Sequence, residues 1–523
     1  MSKDDSTRPG DLATLKELVG EQNGTIVALT REVEQLKHFV AQLQRRYFGP
    51  RAEKVDPNQL TLFDQPAAED AKPSVDETQA VDVKPHKRRG GGRKPLPKHL
   101  PREIVEHDLS EDEKTCPCCG DARTRIGADR SEQLEFEPAV LKVIEHVRHK
   151  YACRKCEEGV SVAPPPSKPI AKGLPGPGLL AALVVGKWLD HLPLYRLEDV
   201  FARSGVEIPR STLCRWSMAC AELFEPLYDL MAERVKHSRV LHTDDTTVPV
   251  LDPNQPKTKT GRFWVYCGDG ENPYSVYQFT PSRERAGPEG FLKGFEGYLH
   301  SDAFAGYDRL CSSGQVQQVL CWAHARRKFF EARTVQPEPA HTALAYVGRL
   351  YGVERQSQTL TEHLDLRCQK DRDRWHAARY ELRQQQSVSI LEEFHDWLSE
   401  PHLDVLPKSP VGMAINYVLP RWESFTRYCD DGSLSIDNNL SERMLRPCAI
   451  GRKNWLFAGN DRGGTAAAVH YTILASAKAN GVEPFAYARD LLTILPKNAT
   501  DLEALLPDRW IQTHPEAHRA WSR

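Results

Sequence analysis

Asp244, Asp302 and Glu442 lie far apart in the chain, yet each falls where a side chain can be held in a fixed direction. Asp244 sits inside the β-rich run RVLHTDDTTVPVL, Asp302 just beyond the strand expected in the run GYLHSDAFAGYDRL, and Glu442 in SIDNNLSERMLRPCAIGRKNWLFAG, residues 435–459. That last stretch sets one carboxylate beside Arg443, Arg446, Arg452 and Lys453, with no acid between them. A carboxylate can hold a cation and arginines can hold phosphates, so the composition suits a site where metal and polyanion meet. Mg²⁺ keeps several waters and takes substrate oxygens as ligands, so a few carboxylates suffice to hold it. Two such ions about 3.5–4 Å apart would activate an attacking oxygen and stabilise a leaving one. Asp245 is adjacent to Asp244, and side chains alternate across a strand, so only one of the pair can face such a site. A purely structural reading also fits Glu442. Asn439-Leu440-Ser441-Glu442 has the spacing of a capping box, with Asn439 as N-cap and Glu442 at N3. No Walker phosphate loop or nucleophile elbow is present.

A second ligand set is made of cysteines. Cys116 and Cys119 form one C-x-x-C, and Cys153 and Cys156 another. Two such knuckles supply four thiolates to a tetrahedral structural Zn²⁺. The alternating run LKVIEHVRHKYAC reads as a strand returning to the site, and Cys118 is left without a role. The thioredoxin-like context that a redox reading of C-x-x-C needs is absent.

These groups need elements to position them. Residues 12–48 carry a heptad seam, with Val19, Ile26, Val33 and Val40 at a and Leu15, Leu29, Leu36 and Leu43 at d. β-Branched a with Leu at d favours a parallel two-stranded coiled coil, and hence a homodimer or higher homo-oligomer. Residues 49–102 are rich in Pro, Gly and charge and read as a disordered basic linker. Its end carries eight Lys/Arg and no acid between Lys84 and Arg102, among them Arg93 and Lys94. Flexible cations of this kind can follow phosphates or lie in a minor groove. Residues 103–163 form the zinc-binding module. Within 175–232, LYRLEDVFARSGVEIPRSTLCRW reads as helix, turn and second helix, which in a helix-turn-helix would present Arg210, Ser211, Thr212 and Arg215 to DNA; an ordinary αα-hairpin is the alternative. Residues 236–460 then run β-β-β-α-β-α-β, the order of a ribonuclease-H-like fold, interrupted by an all-helical insertion at about 334–428. Residues 461–523 close the chain as a helical region. The fold class is therefore multidomain α+β.

Hydrophobic residues at 40% and charged residues at 27% describe a globular protein of several domains. No apolar run approaches the roughly 20 residues that span a bilayer, and the polar start is no signal peptide, so a cytoplasmic protein without membrane contact is expected. The net charge of −2 averages over domains and hides the local basic patches.

The chain resembles transposases of the insertion-sequence-66 family, DDE transposases with a ribonuclease-H-like catalytic domain. The resemblance rests on the zipper, the CPCCG and YACRKC knuckles, HTDDT at 242–246, SDAFAGY at 301–307, CWAHARR at 321–327 and the run 437–459. It implies that Asp244, rather than Asp245, is the first metal ligand, with Asp302 and Glu442 as the second and third, holding Mg²⁺ or Mn²⁺. It further implies binding of double-stranded DNA at terminal inverted repeats, metal-dependent cleavage, strand transfer into target DNA, and accessory proteins of the same element. Arg326, Arg327, Arg443, Arg446, Arg452 and Lys453 are candidate phosphate contacts. His324 is either a core histidine or a support for the ligands. A catalytically inactive DNA-binding regulator and a ribonuclease-H-like nuclease are the alternative functions.

Overall fold

The computed structural model describes residues 166–519, apart from 172, 253–256, 313, 362, 366–367, 401–404 and 498–500, and ahead of them only 22, 141, 143, 144, 150–152 and 160–162. The expected coiled coil (Gln22 aside), the basic linker with Arg93 and Lys94, and Cys116, Cys119, Cys153 and Cys156 lie outside the described residues. Two short strands, β1 (Lys150–Ala152) and β2 (Val160–Val162), pair antiparallel and bracket the second C-x-x-C in sequence.

The helical stretch after the linker resolves into α1 (Pro177–Trp188), α2 (Leu194–Arg203) and α3 (Arg210–Val235). Helix α1 begins with proline at its first turn, where the missing N–H has no helical partner to lose. Helix α2 ends in a Schellman turn: Gly205, at φ +85°, donates to Ala202 O, and Val206 donates to Phe201 O. Helix α3 runs for 26 residues and buries a stripe that includes Leu213, Trp216, Phe224, Leu227 and Met231. Its first two turns leave Arg210, Ser211 and Arg215 exposed.

The central sheet is built from β3 (Val240–Val250), β4 (Lys259–Cys267), β5 (Ser275–Thr280), β6 (Gly297–Ser301) and β7 (Val316–Leu320), in the order β5-β4-β3-β6-β7. The three consecutive strands pair antiparallel, whereas β6 joins β3 and β7 joins β6 in parallel. The short helices α4 (Ala286–Phe291) and α5 (Asp308–Cys311) lie in the two connections that follow β5 and β6. Alternation divides β4 between two faces. Trp264 and Tyr266 meet Tyr307 and Phe291 on one face, and Phe263 meets Tyr471 on the other.

After β7 comes α6 (Trp322–Ala332), with Cys321 at its N-cap position. The insertion follows as α7 (Pro337–Thr359), α8 (Gln369–Leu382), α9 (Val388–Ser399), α10 (Pro410–Val418) and α11 (Trp422–Thr426), with a π-helical turn at Arg383–Ser387. Its core, which includes Val347, Leu350, Phe394, Val418 and Phe425, is continuous with Trp322 and Phe329 of α6. Then α12 (Asn439–Trp455) packs on β3 and β4, and α13 (Asp461–Ala479) packs on β5. Helix α13 also closes the edge of the sheet: Thr472 Oγ1 accepts from Tyr277 N at 2.8 Å and Ser476 Oγ from Ser275 N at 3.0 Å, on a strand that would otherwise present unpaired amides. Helices α14 (Pro484–Ile494) and α15 (Pro507–Thr513) complete the described chain.

Candidate active site

Strand β3 settles which of its adjacent acids faces which way. Asp245 stands opposite Trp264 and Asp244 opposite Val265, so the two point to different faces. Asp245 is 3% exposed and fully engaged: Arg262 Nη1 donates to Oδ2 at 2.6 Å, and Arg283 Nε and Nη2 donate to Oδ1 at 3.1 and 2.8 Å. It is a structural anion. Asp244 faces α12 and, among the described residues, accepts a local bond, from Asp245 N at 2.7 Å. Burial pushes the Asp244 carboxyl up to about 8; the Asp245 amide opposes this, and the charges of Asp302 and Glu442 add to it.

Parallel pairing of β3 with β6 places Asp302 beside Asp244, because both lie two residues beyond the His242↔His300 pair. Asp302 Oδ1 accepts from Phe304 N at 3.2 Å, which fixes the turn after β6. Burial raises its pKa while Arg283 holds it down. Arg283 Nη2 stands 3.6 Å from Asp302 Oδ2 and its guanidinium lies over the Phe304 ring, so this one side chain ties Asp302 to Asp245. Nothing in SRERAG marked Arg283 as part of a site.

Glu442 stands on α12, near enough for its charge to raise the Asp244 carboxyl, but the expected capping box does not form. The N-cap is Asn438, one residue earlier, which puts Glu442 beyond N3. Asn439 turns to Asp437 instead, donating from Nδ2 to Oδ2 at 2.8 Å and from its backbone to Oδ1 at 3.2 Å. Asn438 is also drawn away from its own helix. Its Oδ1 accepts from His242 Nδ1 at 3.0 Å, its Nδ2 donates to Thr243 O at 2.8 Å, and its N–H meets Cys321 Sγ at 3.2 Å. This buried amide pins the start of α12 to β3 and to the end of β7. The acceptor oxygen of Asn438 requires His242 to carry its proton on Nδ1. Burial lowers the His242 pKa to about 4, with the Asn438 bond opposing and Arg443 reinforcing, and His300 stacks on it at 4.2 Å. Beside Glu442, His324 Nε2 lies 3.7 Å from Oε1, and Cys321, His324 and Glu442 bring their ligand atoms within 4.8 Å of one another.

The candidate cations divide. Arg443, Arg446 and Lys453 are exposed along α12, and Arg327 is exposed on α6. Arg326 is half-buried, 5.7 Å from the Phe330 ring. Arg452 uses Nη1 on β3, donating to Thr246 Oγ1 at 3.0 Å and Thr247 Oγ1 at 2.8 Å. Arg210 and Arg215 lie on α3, the latter donating to Thr212 Oγ1 at 3.2 Å.

A buried carboxyl at Asp244, raised further by the charges of Asp302 and Glu442, is a donor that a divalent cation would relieve, and oxygen ligands of this kind suit Mg²⁺ or Mn²⁺. The strand order, the mixed pairing and acids within β3, just beyond β6 and on α12 are consistent with a ribonuclease-H-like core of the DDE class. Comparison with known families makes this specific. The description "Transposase IS66 family" matches residues 172–466, "zinc-finger binding domain of transposase IS66" residues 113–157, "Transposase C of IS166 homeodomain" residues 35–105, and "IS66 C-terminal element" residues 472–507. The chain belongs to the IS66 family of DDE transposases, with zinc-finger and leucine-zipper regions. Among similar proteins of Sinorhizobium fredii (strain NBRC 101917 / NGR234), uncharacterized protein y4jD is 34% identical over 507 residues, covering 92% of this chain and 96% of that protein. Uncharacterized protein y4qI is 32% identical over 534 residues, covering 97% and 94% respectively. The family implies DNA binding and a divalent metal at the acidic site, and its zinc-finger domain suggests zinc. Among the described residues no helix is long and apolar enough to cross a membrane.

Proposed function

We propose that this protein cuts the ends of a bacterial insertion sequence at its inverted repeats and joins them to target DNA, using Asp244, Asp302 and Glu442 as ligands for Mg²⁺ or Mn²⁺. The observation that carries this reading is the parallel register of β3 and β6, which sets Asp302 beside a buried Asp244 whose carboxyl burial raises and the charges of Asp302 and Glu442 raise further. Bound divalent ions would activate the attacking oxygen and stabilise the leaving one in each phosphodiester displacement. The chain's own part is positioning. Asn438 and Arg452 fix α12 against β3, Arg283 fixes Asp302, and His324 stands behind Glu442. Arg327, Arg443, Arg446 and Lys453 would hold the DNA backbone, with Arg326 beside them and Arg452 bracing the strand. Arg210 and Arg215, at the start of α3, and Arg93 and Lys94 of the linker would add contacts outside the catalytic domain. Cys116, Cys119, Cys153 and Cys156 would hold structural zinc, and the heptad seam would pair two chains so that two DNA ends are held together. Accessory proteins of the same element would complete the reaction in the cell.

The test uses purified full-length protein, Mg²⁺ or Mn²⁺, and a duplex carrying the inverted repeat found beside the gene. The wild type should cut the end and join it to a second duplex, while Asp302→Asn should bind the same duplex and lose about 10³-fold or more of both activities, since a metal is worth several kcal/mol to the transition state. Equal joining by the two proteins would refute the assignment. Cutting without joining would favour a nuclease.

A further inference from the structure

We infer that Leu456 and Phe457 form a rigid apolar wedge that enters the base stack of DNA held along α12, roughly five or six base pairs from the phosphodiester at the acidic site. The inference rests on the DNA-transposing role proposed above and concerns residues to which that role gives no part.

The evidence begins with backbone strain. Leu456 has φ +68° and ψ −48°, and Phe457 N donates to Trp455 O at 2.9 Å. This is a γ-turn with positive φ, a rare conformation for a branched side chain. Strain of this kind persists only where the surroundings impose it, and here both flanks do. Before the turn, Trp455 is directed inward against Trp188 and packs over Gly451, where a Cβ would come within 2.7 Å of its Nε1. After the turn, Ala458 is bonded twice to β3: its N–H donates to Pro249 O and its carbonyl accepts from Leu251 N, each at 2.9 Å.

What this clamped turn presents is apolar. Leu456 is 61% exposed and Phe457 42% exposed. Burying these side chains against the protein would be favourable, yet the turn holds them out. The surface around them identifies the occupant. Arg443, Arg446, Ile450 and Lys453 recur along one exposed face of α12 that leads to the turn. A polyanion answers the cations, and apolar side chains at the end of a cationic track meet a polyanion's one apolar part, its stacked bases. Proteins that unstack DNA insert Phe, Leu or Ile in this way.

The geometry fixes the place. From Glu442 to Leu456 the helix rises about 21 Å, and from Asp244 to Pro249 the strand runs about 16 Å. At about 3.4 Å per base pair these correspond to roughly five or six steps.

The experiment uses full-length protein with Ca²⁺ in place of Mg²⁺, and a duplex bearing the terminal repeat with single 2-aminopurine substitutions at successive positions inward from the cleavage site. Wild type should give a several-fold fluorescence rise confined to positions about five or six base pairs inward. Leu456→Gly and Phe457→Ala should abolish the rise while retaining affinity, and the glycine variant should keep or raise the melting temperature because it relieves the strained φ. Arg446→Ala should instead weaken affinity and reduce its salt dependence, with the rise intact at saturation. The wedge is overturned by a bound complex without the local rise, by variants that retain it, or by variants that change the mass of the DNA-free protein, which would make this face a contact between copies. Failure to bind the repeat at all would overturn the transposase reading as well.

Discussion

Asn438 stands where asparagine ordinarily caps its own helix, yet both ends of its amide are used on β3, the oxygen accepting from His242 and the nitrogen donating to Thr243 O. Removing that amide leaves a buried imidazole N–H and a buried carbonyl without partners, each costing about 1–3 kcal/mol. Asn438→Ala should therefore lower unfolding free energy by about 2–5 kcal/mol in a urea titration. DNA cutting should fall further than the loss of folded protein explains, because Glu442 is no longer aimed. Glu442→Gln should behave oppositely: stability in the absence of metal should hold or rise as repulsion with Asp244 is relieved, and cutting should be lost. These two residues also show what was legible at this scale. Three acids at strand and helix positions stood out in the sequence because carboxylates there carry their own chemistry, and the β3–β6 register sets two of them, Asp244 and Asp302, side by side. The double asparagine signalled a cap, but that the N-cap residue itself, Asn438, turns its amide across to the sheet depended on a partner 195 residues away, which local spacing does not encode.

Strands and insertion were both visible as changes of period, since alternation in β3 to β7 gives way to polar helices once α6 ends. What remained hidden was how the insertion is fastened to the site. Glu354 of α7 receives Arg379 and Arg383 in a buried cluster, and Arg383, wholly buried, also donates to the carbonyls of Asp431 and Leu434 on the segment that leads into α12. Replacing Glu354 with alanine leaves two buried cations unpaired. It should cost about 3–5 kcal/mol, measured by chemical denaturation. A second seam joins α13 to α3 through His470, whose Nε2 donates to Ser217 O at 2.9 Å while Nδ1 is buried without a partner. Burial lowers its pKa to about 4, with the Ser217 bond opposing and Lys187 reinforcing. A depressed folded-state pKa gives stability that is present above the unfolded value near 6.5 and lost as pH falls toward 4. Thermal melts should therefore show an acid-side decline in that window worth up to about 3 kcal/mol, and His470→Gln should flatten it.

Across the whole molecule, the zinc and zipper regions matched by family lie outside the described residues, so their chemistry rests on cysteine spacing and the heptad pattern. Metal analysis of the full chain purified without added zinc should find about one Zn²⁺ per chain, and Cys119→Ser should remove it, because a four-thiolate site does not survive with three. Undiminished zinc in that variant would refute the ligand set. The catalytic domain has one further consequence, which lies in its order of synthesis. Glu442 follows Asp302 by 140 positions, most of them the insertion, and Asn438, which anchors the third acid, emerges with it. At about 5–20 residues per second, translation takes roughly 7–28 s to cross that interval. On the proposed assignment the nascent chain carries two of the three acids throughout that interval and lacks the third, so a half-made or prematurely terminated chain would hold no complete metal site with which to cut the chromosome of the cell that is making it.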